Sequence, residues 1–445
     1  MKVQPLVHTK EKLEDLVLSC LTESKKQGAT SAEATVNIEH GLSVTARLGE
    51  AETLEHHNDR GLGITIYMGQ KKGSASTTNF EPSAIKDAVT AACKIASFTE
   101  EDECAGLADA ELMATNMQDL DLDHPWGVSP EEALEIAIEC ENTARDVDKI
   151  SNSEGASLTT SQGTTIYGNS HDFVGSYSST RHNLSCVVIA EQDGNMQRDY
   201  WFATTRDPKN LESAASIGRK AAERTVSRLG ARKISTQSTP VIFEANMARS
   251  LLSHFVSAVS GGSLYRNASF LIDHLDKQVF SDSITITEDP FIKGGFGSSS
   301  FDLEGVATKA RTLVDNGVLK GYVLSSYSAR KLAMQTTGNA GGVHNLELQA
   351  GKKSLDQLLK QMQKGLLITE LIGHGVNTVT GDYSRGAVGY WVENGEIQYP
   401  VDEITIAGNL KDMYKKIVEV GNDVDRRSNI ITPSLLIDEM MVAGS

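Results

Sequence analysis

The stretch LLSHFVSAVSGGS, Leu251 to Ser263, sets one histidine beside an apolar stripe. Met247, Leu251, Phe255 and Val259 recur every four residues, the spacing of a half-buried helix, and His254 borders them. A helical histidine can be a zinc ligand. Zinc hydrolases place Glu directly after the first ligand His, so that one segment supplies both ligand and general base. None of the eleven histidines is followed by Glu, and none has a second histidine at i+3, i+4 or i+5. On local pattern His254 is expected to be a packed or hydrogen-bonded histidine.

Other chemistries are equally unsupported. G-x-S-x-G, the elbow that exposes a catalytic serine, is absent. The glycine-rich run KGGFGSSS (Lys293 to Ser300) lacks the lysine of a phosphate cradle and reads as a surface loop. In NAGGVHN (Asn339 to Asn345) the glycines let backbone approach another chain or ligand closely, so His344 and Asn345 are candidates to face a substrate or partner; a structural turn is the other reading. His56–His57, beside Asn58 and Asp59, reads as an exposed strand end rather than a metal site.

The elements that must position these residues point to an α+β chain, a mixed strand and helix body followed by a strand-rich, barrel-like body. Residues 11–27 have helical spacing; EATVNIE, LSVTARL and LGITIYM read as strands; a helix is expected over Pro82–Phe98. Glu100 to Asp123 has nine acidic residues and no Lys or Arg, so it reads as a solvated connection closing a first unit at residue 125. A second unit, 126–235, opens with a helix capped by Ser129 and ends with one from about Leu211 to Leu229, stopped at Gly230. The third, 236–445, begins with the strand STPVIFEA and carries a hairpin turn at Asn394–Gly395.

With 39 % hydrophobic and 23 % charged residues the chain can bury sizeable cores. A net charge of −17 opposes nucleic-acid binding, and the basic residues from Arg219–Lys220 to Arg232–Lys233 read as a solvated helix face. No leader, spanning segment or CxxC pair is apparent, so a cytoplasmic protein with five reduced cysteines and no membrane partner is expected.

Several segments together resemble the PmbA/TldD family, once called modulators of DNA gyrase. They are SSYSARKLAMQTTGNAGGVHN (Ser325 to Asn345), GDYSRGAVGYWVENGEIQYPVDEITIAGNLKDM (Gly381 to Met413) and GNDVDRRSN (Gly421 to Asn429). The run GNSHDFVGSYSSTRHNLSCVVIAEQDGNMQRDY and the N-terminal RGLGITIYMGQKKGSAST fit too. The likeness spans nearly the whole chain and is to the PmbA branch, also called TldE.

The resemblance implies a degenerate metal helix. TldD-type subunits carry H-E-x-x-x-H on a helix after a strand, with a further cysteine ligand near the C-terminus. In the best register here Ser253 and Ala258 stand at the histidine positions and His254 at the glutamate; the alternative register puts Phe255 and Val259 in the remaining places. Gly421 to Ser445 contains no cysteine. Without a bound metal nothing lowers the pKa of water from about 15.7 to about 7, so this chain is expected to hold no zinc or other cofactor and to cleave nothing alone. The implied role is the non-catalytic half of a heteromeric metalloprotease, with Zn²⁺ in a TldD-like partner and peptides or unfolded segments as substrates, as in peptide-precursor maturation and antitoxin degradation. A homodimer when alone, an independent homodimeric metallopeptidase and a regulator of gyrase are the alternatives. In GDYSRGAVG, Gly381, Gly386 and Gly389 allow close backbone approach, while Asp382 and Arg385 can pair or hydrogen-bond locally. That segment is expected to serve partner contact or substrate enclosure, or else merely to shape a turn between strands.

Overall fold

The computed structural model describes residues 9–444. Met1 to His8, the start of the segment expected to lack a leader, and Ser445 lie outside the described residues. The N-terminal body runs α1 (Lys10–Lys26), β1 (Ser31–Arg47), β2 (Glu50–Met68), β3 (Lys71–Thr77), α2 (Pro82–Phe98), α3 (Pro130–Arg145), β4 (Ile150–Asn169), β5 (Val174–Gln192), β6 (Asn195–Thr205) and α4 (Ala214–Ser227). Its strands form one antiparallel sheet in the order β3-β2-β1-β4-β5-β6.

EATVNIE and LSVTARL, which read as separate strands, are one strand, β1. Its even-numbered residues explain the length. Ala32, Ala34, Val36 and Ile38 pack with Leu13 and Val17 of α1 and Val89 of α2, while Leu42 and Val44 pack with Ala133 and Cys140 of α3. One strand therefore serves two helix pairs lying side by side on one face. Odd-numbered Glu33, Thr35 and Asn37 point the other way, into a cleft. His56 and His57 lie within β2, opposite Leu42 and Gly41, rather than at a strand end.

Two segments expected to be solvated expose most of their charges but are anchored by a few of their residues. The acidic connection is a strap between the bodies: Cys104, Leu107, Ala108, Met113 and Ala114 are buried. Asp102 accepts from the Tyr327 hydroxyl at 2.7 Å and Lys331 Nζ at 2.9 Å, and Arg330 donates to the Cys104 and Gly106 carbonyls. The other acidic side chains of this segment are exposed, as expected; its anchoring to Tyr327, Arg330 and Lys331 is invisible locally because those residues lie more than two hundred positions away. Of the basic residues, Arg219, Lys220, Arg232 and Lys233 are exposed as expected, whereas Arg224 and Arg228 turn inward. Arg224 lies 3.3 Å from both Asp199 and Glu244, and Arg228 lies 2.6 Å from Glu370. Helix α4 starts at Ala214, later than Leu211, because the Ser213 side chain accepts from the Ser216 N–H. Ser129 caps α3 as expected, in a reciprocal capping box with Glu132.

The C-terminal body runs β7 (Gln237–Phe243), α5 (Ala245–Val259), β8 (Ile286–Glu288), β9 (Arg311–Asp315), β10 (Val318–Leu319), β11 (Leu346–Leu348), β12 (Gly365–Ile372), β13 (Asp382–Glu393), β14 (Glu396–Asn409), β15 (Ile417–Val420), β16 (Ile430–Ile431) and β17 (Leu435–Ala443). Strands β14-β13-β12-β7-β17 are neighbours in that order, and β14 also pairs with β17, which closes a five-stranded barrel. A second sheet, β10-β9-β8-β11-β16, lies beside it. Helix α5 buries Leu251, Leu252, Phe255, Ala258 and Val259 in the largest apolar cluster, with Tyr383, Trp391 and Ile404. The expected hairpin turn is present, Asn394 and Gly395 having φ of 54° and 75°. This is the α+β architecture expected, with a barrel after a mixed body. Gly381 to Gly389 is no turn between strands: Asp382–Glu393 is one continuous strand. At Gly389 a Cβ would lie 1.8 Å from the Leu367 carbonyl oxygen, so the barrel wall itself requires glycine there.

Candidate functional site

Helix α5 follows directly on β7 and carries the three positions of the degenerate motif. Ser253 spends its hydroxyl on the Arg249 carbonyl at 3.1 Å, and Ala258 is buried without a donor. His254 is half-buried, and its Nε2 has no hydrogen-bond partner. Its ring meets the Tyr383 ring edge-on, centroids 6.1 Å apart. Tyr383 and Arg385 are two apart on β13 and so project from the same face. The Tyr383 hydroxyl and the Arg385 Nε are also buried without partners; the guanidinium makes one bond, from Nη2 to the Leu371 carbonyl at 3.4 Å. Burial pushes the His254 pKa below the usual imidazole range and the Arg385 charge pushes it further the same way. Burial raises the Tyr383 phenol, which Arg385 partly offsets.

This donor set does not fit zinc. A tetrahedral site needs imidazole, thiolate or carboxylate ligands on several sides. Here one imidazole faces a phenol and a fixed cation, and a guanidinium repels a dication. Among the described residues no group of three or more His, Cys, Asp or Glu could hold a metal ion. The five cysteines are buried and unpaired.

Asp382 stands apart from this cluster. It is exposed on the opposite face of β13, accepts from Thr380 Oγ1 at 2.6 Å and Asn409 Nδ2 at 3.0 Å, and these bonds hold its carboxyl below the usual range. The expected local pairing of Asp382 with Arg385 does not form, because residues three apart on a strand face opposite sides.

His344 and Asn345 lie elsewhere, where the two glycine-rich stretches meet. Gly297 of the first packs on the His344 backbone so closely that a Cβ would lie 2.5 Å from its carbonyl carbon. His344 Nε2 lies 2.9 Å from the Gly338 carbonyl and Nδ1 3.2 Å from that of Gly297. Asn345 is 1 % exposed; it accepts from Gly297 N–H and donates to Ser298 Oγ and the Asp289 carbonyl. A candidate to face a partner, it is an internal brace, and KGGFGSSS is its packed counterpart rather than a free loop. His344 alone reaches the border of a cleft of about 760 Å³ between the bodies.

Sequence reasoning missed the groups that give this cleft its character. Glu33 accepts from the Tyr67 and Tyr167 hydroxyls at 3.2 and 2.9 Å, and burial still raises its pKa. Burial pushes Asp302 up to about 6 although it accepts from the Ala340, Glu304 and Val306 N–H groups. The only local signal was the polar odd-numbered face of β1. Tyr383 was missed too, although its spacing from Arg385 is readable in GDYSRG.

A helix-covered sheet, a closed barrel and a cleft of about 760 Å³ between them define a two-body protein whose second body carries a buried polar cluster against a helix. Comparison with known proteins gives this class its family. The PmbA/TldA metallopeptidase domain 1, central domain and C-terminal domain match residues 32–96, 123–229 and 236–444. The chain is 48 % identical over 445 residues to Metalloprotease PmbA of Escherichia coli O157:H7, covering 100 % of this chain and 99 % of that one. It is 48 % identical over 430 residues to a Metalloprotease PmbA homolog of Haemophilus influenzae, covering 96 % and 95 %. A Bacteroides thetaiotaomicron structure described as a candidate modulator of DNA gyrase superposes with a TM-score of 0.93 at 27 % identity, covering 98 % of this chain and 100 % of that one. TldE from Thermococcus kodakarensis shares the fold, with a TM-score of 0.85 at 22 % identity over 96 % and 100 %. The chain belongs to the PmbA/TldD family of metallopeptidases.

Proposed function

We propose that this chain is the non-cleaving subunit of a cytoplasmic metalloprotease complex, paired with a zinc-bearing TldD-type subunit and acting on peptides and unfolded segments. The observation that carries the reading is the α5 donor set: Ser253 is spent within the helix, Ala258 has no donor, and Arg385 sets a positive charge beside His254. The cleft supports the substrate class. Ser74 and Ala75 of β3, the edge strand of the sheet, line it, so an extended peptide can add a strand by backbone hydrogen bonds with little side-chain selectivity. Among the described residues no helix is long and apolar enough to cross a membrane.

The test is zinc content and peptide cleavage for the pure chain, the TldD-type subunit and the reconstituted pair. The expected result is no stoichiometric zinc and no cleavage for this chain alone, with cleavage by the pair. About one tightly bound zinc per chain, lost on His254→Ala, would establish an independent metallopeptidase instead. A stable complex with gyrase and none with the TldD-type subunit would favour a regulatory role.

A further inference from the structure

The cleft of about 760 Å³ between the bodies has charges of opposite sign at its two ends. At one end Arg206 is a half-buried lining residue, its guanidinium 5.3 Å from the centre of the Phe296 ring. Its Nε, Nη1 and Nη2 each donate once, to the Gly295, Thr180 and Phe296 carbonyls, which fixes the group in place. A guanidinium has five N–H groups, so two are left to donate. The exposed Arg181 sits 5.1 Å from the same ring. Burial and the charge of Arg181 push the Arg206 pKa down to about 10. Neither arginine meets a carboxylate among the described residues, whereas Arg224, Arg228 and Arg311 all do. A cation drawn out of water ordinarily has a counter-charge, and the cleft leaves room for one to arrive.

At the other end stand Glu33 of the first body and Asp302 and Glu304 of the second. Burial raises the Glu33 pKa, and the charge of Glu304 adds to the rise. Lys72, 5.9 Å from the Tyr67 ring centre, acts on Glu33 without forming an ion pair. An anion is repelled at this end and attracted at the other.

Strand register sets the ends apart. Glu39 is six positions beyond Glu33 on β1 and pairs with Gly163, which pairs with Ser179, the neighbour of the Thr180 that holds Arg206. At about 3.3 Å per residue the separation is roughly 20 Å, the length of about six extended residues. Thr35 and Asn37 line the stretch between. A compact anion such as phosphate would occupy only the Arg206 end, whereas an extended chain with one terminal carboxylate uses the whole cleft. Carboxylate also matches the planar fork of a guanidinium.

We infer that the cleft binds a peptide in one direction, with its C-terminal carboxylate on Arg206 and its chain running toward Glu33. The inference rests on the peptide substrates proposed above and adds a polarity and a preference for a free C-terminus.

The test uses the full-length chain with no partner and no zinc, so its failure is distinct from a failure of the complex reading. Anisotropy is measured at pH 8 for an N-terminally labelled octapeptide of Ser, Ala and Gly ending in a free carboxylate, and for its C-terminal amide. The acid is expected to bind about tenfold tighter than the amide. Arg206→Gln and Arg181→Glu each reduce that preference, and Arg206→Lys retains part of it. Urea unfolding checks that each variant folds; because Arg206 also braces three carbonyls, the exposed Arg181 decides alone where Arg206→Gln does not fold. N-acetylglycine supplies the same carboxylate without the chain, and is expected to displace the peptide only in large excess. Equal binding of acid and amide overturns the inference and leaves the peptide reading standing. Binding of neither overturns it and removes this cleft from the peptide reading as well. A preference unchanged in every folded variant, or displacement by N-acetylglycine mole for mole, also overturns it.

Discussion

His254 and His344 are both half-hidden histidines in the C-terminal body, and their surroundings are opposites. His344 has a carbonyl oxygen near each ring nitrogen, its backbone N–H donates to Glu288 at 2.7 Å, and Glu288 in turn holds Arg311 at 2.7 Å and Asn339 at 2.8 Å. His254 has an orphaned nitrogen beside an orphaned phenol and an arginine without a carboxylate. A closed network gains stability from every member, whereas an open one gives up stability to keep groups available. By that contrast the polar groups around His344 brace one another, whereas those around His254 are buried with fewer partners.

The largest expected effect lies on the closed side. Asp302 is raised by burial from 3.8 to about 6 in the folded protein. As pH rises from about 4 to about 6 the unfolded chain loses this proton first, so stability falls through that window and the penalty persists above it, amounting to about 3 kcal/mol. Urea unfolding across that window should show this decline in the wild-type chain and a flatter profile in Asp302→Asn; identical slopes would remove Asp302 from the account.

The two histidines can then be compared directly. His344→Ala strands whichever of the Gly338 and Gly297 carbonyls accepts the ring N–H, leaves a cavity in a buried site, and should cost about 2–3 kcal/mol in denaturant unfolding. His254→Ala removes a nitrogen that bonds nothing, leaving only a packing loss of about 1 kcal/mol. Equal losses would dissolve the contrast between the regions. The smallest effect is the sharpest: Tyr383→Phe deletes a buried hydroxyl without a partner and should leave stability unchanged or raise it by up to about 1 kcal/mol. A loss above about 1 kcal/mol would show that the hydroxyl has a partner in the unliganded protein.

Local pattern was enough wherever it described one element's own needs. Pro82–Phe98 was readable as a helix from its spacing, Ser129 as a cap from the Glu three residues on, and Asn394–Gly395 as a hairpin from the φ > 0 that both residues must adopt. The family was readable from the resemblance of whole segments such as GDYSRGAVGYWVENGEIQYPVDEITIAGNLKDM, whose Gly389 the structure places against the Leu367 carbonyl in the barrel wall. Charge was legible in bulk but not residue by residue. The acidic run 100–123 is largely exposed as it reads, yet Asp102 meets Lys331, and Arg224 and Arg228 meet Glu244 and Glu370, across the junction between the bodies.

The amino-acid sequence by itself determined which residues stand on α5, Ser253, His254 and Ala258, where the family resemblance sets H-E-x-x-x-H against them. It also settled the order of the elements, since helix caps, turns and alternating strands are set by neighbours along the chain. Only the tertiary structure decided what stands there instead. Arg385 is 131 residues beyond His254, and Asp382, its expected partner, is turned away by the two-residue period of the strand. A charge's role depends on what lies within a few ångströms, and folding alone brings the Arg385 charge to His254, neither forming an ion pair with a carboxylate among the described residues.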